Sequence, residues 1–196
     1  MTEKATMQVI AALVPEGARV LDLGCGDGAL LDYLQRERGC SGYGVEILDA
    51  NVLACVRRGV NVVQLNLDEG LALFEDNSFD VVLQIDTLSH LRNAEVMLRE
   101  TARAAPTGGW ASGQSWERRR CRCARRGRMP VTRRLPYQWY DTPNIRVGTY
   151  KDFEVLAHKN QLRILDSFGL QDDRAVRLWP NARAGTAVFH FERGGA

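Results

Sequence analysis

Short apolar runs alternate with amphipathic stretches along most of the chain. The runs at residues 19–23, 43–47, 60–65 and 79–85 place apolar residues on both faces rather than strictly alternating with polar ones. Such runs predict strands buried on both faces. The stretches between them carry helical spacing. Residues 28–38 place Leu30, Leu31 and Leu34 together, and residues 93–103 place Ala94, Met97, Leu98 and Thr101 on one side. Residues 49–57 predict a further helix capped by Asp49. The turn signal Asp76-Asn77-Ser78 announces the fourth strand. At the start of the chain, MTEKATMQVIAALVPEG predicts a short amphipathic helix ending at Pro15. Residues 150–159 predict a late helix with Asp152 in its first turn, and 162–168 and 186–191 predict the closing strands. Strands alternating with helices predict one domain over residues 1–196. Its class is α/β, a doubly wound, mostly parallel, Rossmann-like sheet that takes ligands at the carboxyl ends of its strands.

The pattern fails where the fifth strand belongs. Residues 105–127 read APTGGWASGQSWERRRCRCARRG, which offers small polar residues, two tryptophans and an arginine run instead of an apolar strand. The fifth strand is therefore predicted to be disrupted. Three readings compete: a shifted reading frame restored downstream, a basic insertion that contacts nucleic acid, and a solvated arginine-rich helix. The arginine-heavy composition with Cys and Trp favours the first. Nucleic-acid contact would call for Lys among the Arg and for a supporting fold motif. Lysine occurs only at Lys4, Lys151 and Lys159.

Bulk composition adds exclusions. The 196 residues, with 45% hydrophobic and 26% charged content and a net charge of +2, fit a soluble globular domain with a sizeable core. No run approaches the roughly 18 apolar residues of a membrane span. The N-terminus lacks the basic start and cleavage site of a secretory signal. Five scattered cysteines point to a reducing cytoplasm. Cys121 and Cys123 stand too close for the usual zinc pair, so no metal site is expected.

The candidate chemistry centres on VLDLGCGDG, residues 20–28. A strand, a glycine turn and a helix start follow one another there. Asp22, Gly24, Cys25, Gly26 and Gly28 shape the turn, and the glycines let a ligand approach the bare backbone. The spacing matches neither G-x-G-x-x-G nor G-x-x-x-x-G-K-[ST]. Asp22 and Asp27 lie in or beside the turn, with no basic residue, so a pyrophosphate would meet like charge. A ligand with a positive charge and no phosphate fits better, and S-adenosylmethionine is such a ligand. Glu46 ends the second strand, 24 residues after Asp22, where a carboxylate can accept from both ribose hydroxyls. The plainer alternative is a tight turn beside a solvated strand end. The agreement of loop, charge and strand end argues against it.

VLDLGCGDG, GYGVEI and DNSFDVVL resemble the successive motifs of class I SAM-dependent methyltransferases. RGVNVVQLNLDEGLALFEDNSFDVVLQIDTLSHLR, RGRMPVTRRLPYQWYDTPNIR and the late RLWPN resemble the MetW family of methionine biosynthesis. The resemblance covers nearly the whole chain. It implies a methyltransferase fold holding S-adenosylmethionine or S-adenosylhomocysteine. It also implies an accessory or activating role toward the homoserine O-acyltransferase MetX. A SAM-dependent methyltransferase acting on a small molecule is the alternative.

Further residues fall near the implied site. Asn66 stands after the third strand where the family usually has Asp; its carbonyl can accept from the adenine amino group, and Asp68 can supply the missing charge. Asp86 and Thr87 end the fourth strand, where they either line the cofactor pocket or are solvated. His90 is a conceivable general base, but a partly buried cap of the next helix is the favoured reading. Tyr137, Trp139, Tyr140 and Asp141 form an aromatic run between prolines, suited to a lid, a partner contact or simple packing of a loop.

Overall fold

The computed structural model describes residues 3–105, 109–114, 150–171, 174–178, 184 and 186–194. The arginine run at 118–128, Cys121, Cys123 and the aromatic run of Tyr137, Trp139, Tyr140 and Asp141 lie outside these residues.

The elements run α1 (Glu3–Leu13), β1 (Arg19–Leu23), α2 (Ala29–Arg38), β2 (Ser41–Glu46), α3 (Asp49–Arg58), β3 (Val62–Gln64), a 3₁₀ turn (Leu67–Glu69), β4 (Val81–Ile85) and α4 (Ala94–Ala104). There follow β5 (Gly109–Gln114), α5 (Tyr150–Lys159), β6 (Leu162–Gln171), β7 (Arg174–Val176) and β8 (Thr186–Arg193). The strands form a single sheet in the order β3-β2-β1-β4-β5-β8-β6-β7. β3, β2, β1, β4 and β5 pair in parallel, while β8 runs antiparallel to both β5 and β6. This is the mostly parallel, doubly wound α/β sheet that the apolar runs predict. No helix among the described residues is long and apolar enough to cross a membrane.

Each central strand feeds two cores. Val20, Val81 and Leu83 pack with Ile10, Val14, Leu31 and Leu34 of α1, its C-terminal flank and α2. Leu21, Leu23 and Val82 pack on the opposite side with Leu71 and Met97. Successive strand residues therefore point into different helical layers, which is why the strands carry apolar residues on both faces. Gln84 is the exception in β4: it is fully buried and donates to Thr101 Oγ1 of α4.

The predicted disruption of the fifth strand is corrected. Gly109–Gln114 forms β5, with Val82 opposite Gly109 and Ile85 opposite Ser112 on one edge. On the other edge, Gly109 faces Phe191 and Gln114 faces Thr186. Two ladders of backbone hydrogen bonds hold this strand, so its composition need not be apolar. Gly109 has a specific reason to lack a side chain: a Cβ there would come within 2.7 Å of the buried Phe191 ring.

Two predicted caps are also corrected. Asp49 is the first residue of α3 and not its cap; Leu48 holds the N-cap position without a side-chain bond. Asp49 instead accepts from Gln64 Nε2 of the neighbouring β3. Before α4, Asn93 is the cap, its side chain accepting from Val96 N, while His90 is exposed on the preceding loop.

Candidate functional site

β1 and β4 are neighbours whose following helices leave toward opposite faces of the sheet. A crevice therefore opens beyond their carboxyl ends. The glycine turn sits at this point. Gly24 N and Cys25 N both donate to Val45 O, at 2.8 and 3.1 Å, which fastens the turn to β2. Gly24, Gly26 and Gly28 have φ of 78°, 57° and 78°, a region that side-chain-bearing residues rarely adopt.

The three glycines differ in what surrounds them. A Cβ on Gly24 would meet Thr87 Oγ1 at 2.7 Å, and one on Gly28 would meet Cys55 Sγ at 2.9 Å. Among the described residues, a Cβ on Gly26 would meet nothing within 4 Å. The flanks of the turn are thus packed against β4 and α3, while its middle faces open space. Thr87 fixes the β4 side by donating to Leu23 O at 2.6 Å.

Glu46 reaches into the same turn from the end of β2. Its Oε1 accepts from Ile47 N at 2.7 Å and Leu48 N at 3.0 Å. Its Oε2 accepts from Gly26 N at 3.0 Å and Asn51 Nδ2 at 3.2 Å. All four lone-pair sites of the carboxylate are therefore in use within the protein. Three of these donors are backbone groups fixed by the fold. Asn51, on the first turn of α3, is the one side chain that can turn away and leave room for another donor.

Asp22 is 3% exposed, and its carboxylate accepts no hydrogen bond from the described residues. Burial, and secondly the charge of Glu46, pushes its carboxyl up to about 7. An ionised acid in this setting is complemented by a cation with N–H donors. Asp27 is a different case. Arg58, from the last turn of α3, binds its Oδ2 at 2.5 Å with both side chains partly exposed. Contrary to the expectation of an acidic turn without a basic partner, Asp27 is thus compensated by Arg58, and the uncompensated acids at the turn, among the described residues, are Asp22 and Glu46.

Asp22, Gly24, Cys25, Gly26, Gly28 and Glu46 are brought together by these contacts. Asn66 and Asp68 stand on the adjoining rim, where Leu65 N donates to Glu46 O at 3.1 Å. Asn66 Oδ1 accepts from Asp68 N at 3.1 Å and so caps the 3₁₀ turn, while its Nδ2 donates to Glu69. Asp68 Oδ1 accepts from Arg92 N at 2.8 Å, tying this rim to the loop before α4. Both side chains have structural work of their own. On the same side, Ile47 and Leu48 are 54% and 60% exposed, an apolar step next to Glu46. Asp86 follows β4 with φ 57°, a left-handed backbone at the strand end.

Asn51, Cys55, Arg58 and the packing role of Thr87 are not visible as site residues in the sequence. The first three lie on α3 at positions that read as ordinary helix, and only their contacts reveal them.

A profile of the family described as methionine biosynthesis protein MetW matches residues 4–191. The chain is 30% identical, over 94% of its length, to the bifunctional methionine biosynthesis protein MetXA/MetW of Rhodopirellula baltica, of which it covers 32%. It spans 32–45% of the length of the relatives compared. In fold it is similar to an S-adenosylmethionine-dependent methyltransferase from Mesorhizobium loti, with TM-score 0.72, 16% identity, and coverage of 96% and 98% of the two chains. It is also similar to the [4+2]-cyclase SpnF, with TM-score 0.69, 15% identity, and coverage of 97% and 81%. The fold is thus that of the class I methyltransferases, and a protein named for other chemistry shares it.

Proposed function

Because the chain belongs to the MetW family of methionine biosynthesis proteins, we propose that it serves that pathway by binding S-adenosylmethionine or S-adenosylhomocysteine and acting on a homoserine O-acyltransferase of the MetX type. The observation that carries the cofactor reading is Asp22: a buried carboxylate with no donor among the described residues, set beneath a glycine turn whose centre is open. The donor set fits the ligand. Asp22 complements the cationic amino-acid end, and the bare backbone of Gly24, Cys25, Gly26 and Gly28 lets that end lie close. Glu46 takes one ribose hydroxyl at Oε2 once Asn51 releases its 3.2 Å bond, rather than both hydroxyls. Ile47 and Leu48 offer apolar surface to the adenine, with Asn66 and Asp68 at its edge. Bound S-adenosylmethionine would supply a methyl-bearing sulfonium.

The partner reading rests on the relative in which the MetXA and MetW names are joined in one protein. It is tested by co-purifying the chain with a homoserine O-acyltransferase and measuring turnover of the acyltransferase with and without it. A stable complex with raised turnover supports the proposal; no association and no change refute it. Small-molecule methyl transfer is the second reading, favoured by the named methyltransferases of this fold. Labelled-methyl transfer to a cell-extract component in the absence of the acyltransferase would establish it.

A further inference from the structure

Cys25 and Cys55 are 30 residues apart in sequence, yet their sulfurs lie 3.8 Å apart in the fold. Cys25 belongs to the glycine turn and Cys55 to α3. Both thiols converge on one acceptor: Cys55 Sγ is 3.3 Å and Cys25 Sγ 3.8 Å from Gly26 O. The space for the two sulfurs is kept by glycines. A Cβ on Gly28 would stand 2.9 Å from Cys55 Sγ, and a Cβ on Gly44 would overlap Cys25 Sγ. Cys40, the third free cysteine among the described residues, instead sends its thiol to Pro15 O at 3.5 Å.

We propose that Cys25 and Cys55 form an oxidisable dithiol that a hydroperoxide closes into a disulfide, and that closure loosens the cofactor site. Sulfurs in a disulfide are about 2.05 Å apart, so the pair must approach by roughly 1.8 Å. Such a movement draws the turn toward α3. It also removes both thiol donors from Gly26 O, while Gly26 N is the group that holds Glu46 Oε2 at 3.0 Å. Residue Gly26, whose C=O faces the two sulfurs and whose N–H faces Glu46, therefore links the dithiol to the carboxylate anchor.

The chemistry balances in two steps. Both cysteines are buried, and Cys25, the residue with some exposure at 9% against 0% for Cys55, is assigned the first attack. Its sulfur attacks the peroxide O–O bond as the thiol proton passes to the departing hydroxide, giving a sulfenic acid and, with hydrogen peroxide, one water. The Cys55 sulfur then displaces the hydroxyl, which leaves as a second water with the Cys55 proton. Two thiols lose two electrons, and the peroxide is reduced. Burial and the neighbouring carboxylates push the Cys25 thiol up, so the pair resists weak oxidants and reacts slowly.

The consequence for the site rests on the cofactor reading above; the disulfide itself does not. The test uses the full chain with Cys40, Cys121 and Cys123 replaced by serine, treated with hydrogen peroxide. Peptide mass mapping is expected to show Cys25 linked to Cys55, with the link lost in dithiothreitol. Titration with S-adenosylmethionine is expected to show a tenfold or greater rise in Kd on oxidation, reversed by reduction. Further replacement of Cys55 by serine is expected to keep the affinity of that variant unchanged by peroxide. Two free, alkylatable thiols after treatment overturn the proposal. A linked pair with unchanged Kd overturns control of the site. A reduced protein that binds no S-adenosylmethionine, but still forms the link, refutes the cofactor reading and upholds the dithiol.

Discussion

Under the proposed cofactor reading, Asp22 makes affinity fall as pH falls. In the ligand-free fold its carboxyl is pushed up to about 7 from the ordinary 3.8, first by burial and then by Glu46. The folded state thus prefers the protonated form. The stability this contributes is fully present below pH 3.8 and is lost as pH rises through about 7, at up to about 1.4 kcal/mol per pH unit. A cationic ligand reverses the preference, because its charge pairs with the ionised form. If only ionised Asp22 binds, affinity at pH 6 falls about tenfold below that at pH 8, and binding at pH 7 releases about half a proton. Calorimetric titration with S-adenosylmethionine across pH 6–8, in buffers of differing ionisation heat, measures both quantities. Asp22→Asn is expected to bind more weakly at pH 8 and to show no slope. An unchanged wild-type Kd from pH 6 to 8 would refute the reasoning.

Other substitutions separate packing from ligand contact. Gly28→Ala combines a φ of 78° with a Cβ 2.9 Å from Cys55 Sγ. It should destabilise the fold by about 2 kcal/mol, lowering Tm by roughly 4–8 °C. Among the described residues Gly26→Ala meets no atom within 4 Å, so its cost in a melting experiment should be about 1 kcal/mol. Its loss of S-adenosylmethionine affinity should be the larger effect, about tenfold. Gly109→Val drives a side chain into Phe191 across β5 and β8 and should cost about 1–3 kcal/mol by urea denaturation. Arg103 donates to Phe74 O at 2.8 Å and Leu71 O at 3.0 Å while pairing with Glu100 and Asp76. Arg103→Ala should destabilise by about 2 kcal/mol in the same assay, without changing cofactor affinity.

The central sheet was legible because parallel strands covered on both faces must be apolar at nearly every position. β1 begins and ends where its apolar run does, at Arg19–Leu23. The strand at Gly109–Gln114 was not legible, because a strand held by ladders on both edges can be built from GWASGQ. β7, only Arg174–Val176 at the sheet edge, has too few residues to show a period. In the candidate site, the placement of Asp22 and Glu46 beside the glycine turn was legible from strand ends and spacing. Asn51, Cys55 and Arg58 were not, since each acts across a gap of 5 to 31 residues that only the fold closes. The same gap explains why Asp27 looked unpaired in the sequence.

Hydrogen–deuterium exchange of the full chain, with and without saturating S-adenosylmethionine, tests the central claim most directly. Slowed exchange is expected at the amides of residues 22–28 and 46–51. Protection confined to other segments, or none at millimolar ligand, would contradict it.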